Sequence, residues 1–268
     1  MSERGSMTER AEGSQVPPAR SLGAAAPARS PAAEARRGSA AHVFVDDLAG
    51  PVLTLSEEDE HHLLRVLRLR AGETVSASDG AGSWRLCELS AAGGLDPVGE
   101  VEFEPAPSPP VAVGFALTKG DKPEWTVQKL TEVGVDVVMP FTASRSVVRW
   151  DPDKAARNHE RLARVAREAA MQSRRVWLPE VRPVAPFEAV AGGWGGAAAL
   201  AEPGGSPVSL DYPCVLVGPE GGWAAEEKAA VAANVSLGPT ILRAETAAVA
   251  AAVLLCALRE GRGDFHHQ

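Results

Sequence analysis

From Val111 onward the chain repeats one pattern: a short continuous apolar run, then a stretch with helical spacing. "VAVGFAL" (Val111–Leu117) precedes a helix predicted from Pro123 to about Gly134, and "VDVVMPF" (Val135–Phe141) precedes one over Pro152–Arg174. The strand-like "VWLPEV" follows, then a glycine-rich stretch. "YPCVLVG" and "VSLG" each lead into a further helix. Strands apolar on successive residues must be buried on both faces, which a parallel sheet between helical layers provides. The fold class predicted for residues 110–262 is therefore α/β.

The preceding part reads differently. "HVFVDD" and "PVLTL" are short strand-like runs, and Ser56 opens the Ser-x-x-acid signature of a capped helix. That helix is expected to put Leu63, Leu64 and Leu67 on one face. "ETVSASDGAGSWRLCEL" reads as a hairpin, and "EVEFEP" alternates, with Val101 and Phe103 expected inward. Several short strands with one helix suggest a small β-barrel over residues 41–106. "PAPSPP" (Pro105–Pro110) is a stiff linker. Residues 1–40 are mostly Ala, Pro, Ser, Arg and Gly, with too few large apolar side chains to offset ordering entropy. They are expected to form a disordered extension.

Several classes are excluded. The longest apolar run, Ala247–Leu258, is shorter than the roughly 20 residues a membrane-spanning helix needs. Cys87, Cys214 and Cys256 are isolated from one another, so neither a disulfide framework nor a metal site is expected, and a reducing cytoplasm fits. The net charge of −8 argues against coating nucleic acid by bulk attraction, though not against a local basic face. The six histidines accompany no HExxH or Ser/His/Asp constellation.

Two stretches carry chemistry. "VGPEGGWAAEE" (Val217–Glu227) is a glycine-rich strand-to-helix turn. It lacks the Gly-Lys-Ser/Thr of a phosphate loop and the GxGxxG of a dinucleotide fold. Read alone, it is a tight turn whose glycines supply positive φ. "LGPTILRAETA" (Leu237–Ala247) then sets Arg243, Glu245 and Thr246 at the mouth of a helix apolar on every side, which must be buried. Charges there are costly unless paired or used, and Glu245 also suits a helix start.

These two motifs, with "TKGDKPEWTVQKLTEVGV", "SRSVVRW" and "REAAMQSRR" upstream, resemble the RsmE family of SPOUT-class methyltransferases. The resemblance runs from about His42 to Glu260, and "HHLLRVLRLRAGE" is similar to that family's PUA-like RNA-binding barrel. This chain has Val133 where the family usually has Leu, and His42 where it usually has Arg. The resemblance implies a parallel sheet with a trefoil knot, a homodimer, and S-adenosyl-L-methionine (SAM) as cofactor. It implies methylation of N3 of a uridine in 16S rRNA of the small ribosomal subunit. The cofactor residues would be Gly218, Glu220, Gly221, Leu237, Gly238, Leu242, Thr246 and Ala247. The missing lysine then follows, because SAM has no phosphate.

Methyl transfer to an imide nitrogen is mainly a matter of in-line positioning. Arg243 is the candidate for stabilising charge on the flanking carbonyls, and Glu245 or Glu220 for accepting the N3 proton. RNA contacts are expected from Arg65, Arg68, Arg145, Arg149, Gln172 and Arg175. Arg157, Arg161 and Arg164 share a helix face that ordinary solvation explains equally well. Two alternatives stand beside this reading. One is a SPOUT methyltransferase acting on tRNA or another rRNA site; the other is a non-catalytic RNA-binding assembly factor.

Overall fold

The computed structural model describes residues 31–262. The N-terminal unit comprises α1 (Pro31–Gly38), β1 (Ala41–Phe44), α2 (Glu57–His61), β2 (Thr74–Ser78), β3 (Ser83–Leu89), β4 (Leu95–Pro97) and β5 (Glu102–Phe103). Its strands form one sheet in the order β1-β2-β3-β4, with β5 also pairing to β3. β1 is parallel to β2 and the other pairs are antiparallel. Val43, Leu53, Leu63, Val75, Leu89 and Leu95 give this unit a core of its own.

The second unit comprises β6 (Ala112–Ala116), α3 (Lys122–Val133), β7 (Val137–Thr142), α4 (Pro152–Gln172), β8 (Glu180–Val181), β9 (Ala185–Pro186) and α5 (Phe187–Gly192). It continues with β10 (Ala198–Pro207), β11 (Cys214–Val217), α6 (Ala225–Ala230), β12 (Ala233–Ser236) and α7 (Ala244–Arg259). Its sheet has the order β12-β10-β11-β6-β7-β8, with β9 also on β7, and every pairing is parallel. The α/β class expected here is the one adopted. Successive side chains on a strand point to opposite faces. Val113 and Phe115 of β6 accordingly pack with Leu130, Leu162, Ala248 and Leu255 from α3, α4 and α7. Ala112 and Ala116 join Phe141, Phe187 and Trp223 on the other face.

Five expectations need correction. Pro31–Gly38, inside the stretch expected to be disordered, is a helix, and Arg36 is buried. Its guanidinium lies over the Trp84 ring and pairs with Glu104 at 2.8 Å, contacts invisible to composition. The rest of that extension, residues 1–30, lies outside the described residues. The glycine-rich stretch contains β10, whose Ala198–Leu200 is buried between β11 and β12. After His61 the helix widens into a π-helical turn, His62–Val66, and the wider turn swings Leu64 and Leu67 into solvent while Leu63 stays buried. Val101 and Phe103 are exposed, because the two-residue β5 does not enforce alternation and Glu104 is turned to Arg36. Finally, α7 buries Ala248, Ala251, Ala252 and Leu255 but leaves Val253 exposed.

The two units are tied together by α4. Ser56 Oγ accepts the Asp59 N–H at 3.0 Å and donates to the Asp59 carboxylate at 2.8 Å. Arg167 of α4 grips that carboxylate with two N–H donors, at 2.7 and 3.0 Å, and also donates to the Phe44 carbonyl. Burial opposes ionisation of Asp59. The hydrogen bonds from Arg167 and Ser56 outweigh it and hold the carboxyl below its usual range.

His42 of β1 is buried, with Nδ1 at 2.8 Å from Ser76 Oγ. Burial, aided by the positive charge of Arg36, pushes its pKa from 6.5 down to about 3. The unfolded chain therefore binds a proton at His42 that the folded chain refuses between those two values. The fold has its full stability above pH 6.5 and loses it as pH falls toward 3, by at most about 1.4 kcal/mol per unit. In denaturant titrations at stepped pH, His42→Gln should show a shallower loss across this window. Equal slopes for the two chains would rule the account out.

Candidate active site

The carboxyl ends of β10, β11 and β12 open into loops that meet around a cavity of about 390 Å³, within the range of small-ligand pockets. Parallel sheets build sites at this end, where strand order departs from chain order, and here β11 is inserted between β10 and β6. The first loop, an excursion within β10 where its register on β12 shifts, supplies Ala201–Pro203. The loop after β11 supplies Val217–Glu220 with Gly222 and Trp223, and the loop after β12 supplies Ser236–Gly238 and Thr240–Arg243. The first turns of α7 close it with Ala244 and Ala247.

The glycines differ in what they permit. A Cβ on Gly218 would sit 2.8 Å from the Trp223 ring, so this position needs glycine for close packing rather than for positive φ. Trp223 is in turn stacked on Phe141 at 6.0 Å and donates from Nε1 to the Ala201 carbonyl at 3.3 Å, joining the first loop to the second. Gly222 does have the expected positive φ, 69°.

Of the residues expected to hold the cofactor, Gly218, Glu220, Leu237, Gly238, Leu242 and Ala247 line this cavity, as does Arg243. Gly221 instead packs beside Arg145, whose Nη1 donates to its carbonyl at 3.0 Å, and Thr246 is exposed on α7. Glu245 does not line the cavity: it pairs with Lys122 at 3.0 Å, and its Oε2 is buried without a hydrogen-bond partner. Burial opposes its ionisation. Its own backbone N–H and Lys122 prevail, with the Arg243 charge adding to them, so its pKa is lowered.

Among the expected RNA contacts, Arg65, Arg68, Arg145, Arg149 and Gln172 are exposed. Arg175 is a correction. Its guanidinium is interior, donating to the Thr131 and Val135 carbonyls at 2.9 and 2.8 Å and lying near Asp136. It braces the turn after α3 and is not available to RNA.

Sequence reasoning missed Glu227, which is buried and accepts from the Ser144 and Ala224 amides, both at 2.8 Å. It latches the loop after β7 to the glycine-rich turn. Its position three residues beyond Ala224, the residue preceding α6, was the available signal. Lys122 and the Ala201–Pro203 loop were missed because their partners are remote in sequence. The three cysteines are buried, and burial pushes their thiols up to about 11, 12 and 11, which removes them as nucleophiles. Among the described residues no three His, Cys, Asp or Glu side chains gather as a metal site. Nor is any helix there long and apolar enough to cross a membrane.

A parallel sheet whose glycine turns line a pocket of small-ligand size, free of lysine, makes this an α/β protein with a ligand-sized site at the ends of its strands. Residues 104–256 match the model of the RNA methyltransferase domain, and residues 55–98 that of the RNA methyltransferase PUA domain. A ribosomal RNA small subunit methyltransferase E from Mycobacterium bovis is 34% identical over 78% of this chain and 88% of its own length. The Bacillus subtilis protein of that name is 36% identical over 52% of this chain and 56% of its own. A Legionella pneumophila methyltransferase solved with bound SAM superposes with a TM-score of 0.70 and 26% identity, over 81% of this chain and 97% of that one. The chain belongs to the ribosomal RNA small subunit methyltransferase E family of RNA methyltransferases.

Gly218→Ala would force the new methyl group against Trp223, whose ring is fixed by stacking. A stability loss of about 1–3 kcal/mol is expected, with a larger proportional loss in cofactor affinity. Denaturant titration and calorimetry read the two effects separately.

Proposed function

We propose that this protein transfers the methyl group of SAM to N3 of a uridine in 16S rRNA of the small ribosomal subunit. The observation that carries the reading is the pocket at the ends of β10, β11 and β12, with Arg243 at its mouth, in a chain of this family. Its lining suits the cofactor. Backbone from Gly218, Leu237, Gly238 and Leu242 offers amides and carbonyls, and Arg243 is the single cation of the lining, set against Glu220 and a Glu202 already paired with Lys228. A lining with no net positive charge accommodates a sulfonium ligand and disfavours a nucleoside triphosphate.

SAM supplies a methyl group already activated by its sulfonium, so the protein's task is to position and to manage charge. Arg243 precedes the first turn of α7 and is exposed toward the opening. It is assigned the negative charge that develops on the uracil carbonyls beside N3. Glu220, which is exposed and lines the cavity, is assigned the N3 proton, whereas Glu245 is held by Lys122 with its other oxygen buried and supports the start of α7.

The knot and the dimer belong to the same reading. The three loops around the pocket, with α7 packed back onto α3 and β6, are the arrangement a threaded chain end would produce. The exposed apolar side chains Val253 of α7 and Trp125 of α3 provide a face for a second copy. The N-terminal sheet is read as a PUA-like barrel, and the working compartment as the cytoplasm.

Incubation with labelled SAM and unmodified small subunits, followed by nucleoside mass spectrometry, should show 3-methyluridine at one 16S site. Label in another nucleoside, or in tRNA alone, would replace the substrate. Arg243→Ala should lower kcat by about 10²–10³ while cofactor affinity changes little. Val253→Glu should shift the mass in solution from dimer to monomer, and an unchanged mass would exclude α7 from the interface.

A further inference from the structure

A second cavity lies away from the cofactor pocket, in the cleft between β1 and α2 on one side and α4 on the other. It measures about 870 Å³, against 390 Å³ for the cofactor pocket. Nothing in the assigned chemistry uses it. Ala41, Leu67, Ala163 and Met171 give it apolar surface, while its charged side chains are of both signs. Asp59 and Arg167 neutralise one another by direct pairing. Arg164 and Arg174 then face Glu58 and Glu168, so the interior is balanced. Arg174 donates from Nη2 to the Ser39 carbonyl and, at 3.5 Å, to the Ala40 carbonyl, while its buried Nε has no acceptor.

Such a lining suits a flat neutral group with its own donors and acceptors, and the carboxylates disfavour an anion inside. The rim is different. The segment that brings His62 and Leu67 to the cleft also carries exposed Arg65, Arg68 and Arg70, interleaved with exposed Leu64 and Val66. Arg68 follows Leu67 in a left-handed backbone conformation, φ 57°, as does Arg174 of the cleft lining, φ 56°. A basic rim with apolar patches around a neutral slot is the charge pattern of single-stranded RNA, whose phosphates stay outside while a base enters.

We propose that this cleft receives one unpaired nucleotide of the RNA substrate, its base between α4 and β1 and its phosphates on Arg68 and Arg164. The proposal rests on the RNA-methylation reading and adds to it a second RNA grip, remote from the cofactor. Gln172 at the cleft wall is the group that would meet the base edge. The Asp59–Arg167 pair sets the width of the slot from both units.

The test uses the full chain with SAM bound and a short fluorescent oligouridylate, read by anisotropy. Ala163→Trp fills the slot from an exposed position, so the core is untouched. It should weaken oligouridylate binding about tenfold or more, with cofactor affinity unchanged by calorimetry. Arg164→Glu should weaken binding and flatten its salt dependence. A second readout does not depend on any variant: 4-thiouridine in the oligonucleotide should crosslink to Leu67 or Met171. Binding by Ala163→Trp within about twofold of the parent, or crosslinks only elsewhere, overturns the proposal and leaves the methylation reading standing. So does a parent that methylates subunits yet ignores oligouridylate, or a slot variant that changes only the dimer mass. A parent that does neither removes both.

Discussion

The insertion of β11 between β6 and β10 is the constraint on which the rest depends. β11 pairs in parallel with both neighbours through four buried residues, Cys214–Val217, so its position is fixed by two hydrogen-bond ladders and two packed faces. Parallel pairing then puts the carboxyl ends of β10, β11 and β12 at one end of the sheet. Three segments separated from one another by more than a dozen residues become neighbours for that reason alone. The pocket follows from their convergence, and its single cationic side chain, Arg243, follows from what those loops contain.

Around that frame, individual polar contacts set the loops' positions. Glu227 joins the loop after β7 to the glycine-rich turn by accepting one amide from each. Trp223 fills the space that the absent side chain of Gly218 leaves, and reaches the β10 loop through its indole N–H. Buried acceptors of this kind are costly to leave unmet, so the loops are held in register rather than free to drift. The same logic operates between the two units, where Asp59, drawn out of water at the start of α2, is met by the guanidinium of Arg167. Loss of either partner would leave a charge stranded, which makes the separation between the units a fixed quantity.

Much of this was legible in the residues. The continuous apolar strands announced a parallel sheet because only that arrangement buries both faces. Gly218–Gly222 and Leu237–Ala247 were legible as a site because they combined turn glycines with charges at the start of an apolar helix. The failures share a cause. β10 was hidden because Glu202–Pro207 is polar and glycine-rich, yet Ala198–Leu200 is buried by strands supplied from elsewhere. Arg36 and Arg175 read as solvent-facing because arginine usually is, and both are interior because Glu104 in one case and Asp136 with two carbonyls in the other receive them.

By itself, then, the sequence determined the periodicities: which segments are strand or helix, which faces are apolar, and which short motifs carry glycine and charge. Those are local consequences of side-chain shape and of the repeat along a backbone. Tertiary structure alone decided that Glu245 would meet Lys122 rather than the cavity, that Arg145 would reach the Gly221 carbonyl, and that a wide cleft would open between β1 and α4. Each of those depends on groups far apart in the chain. Their distance is set by strand order and helix packing, quantities that no local pattern encodes.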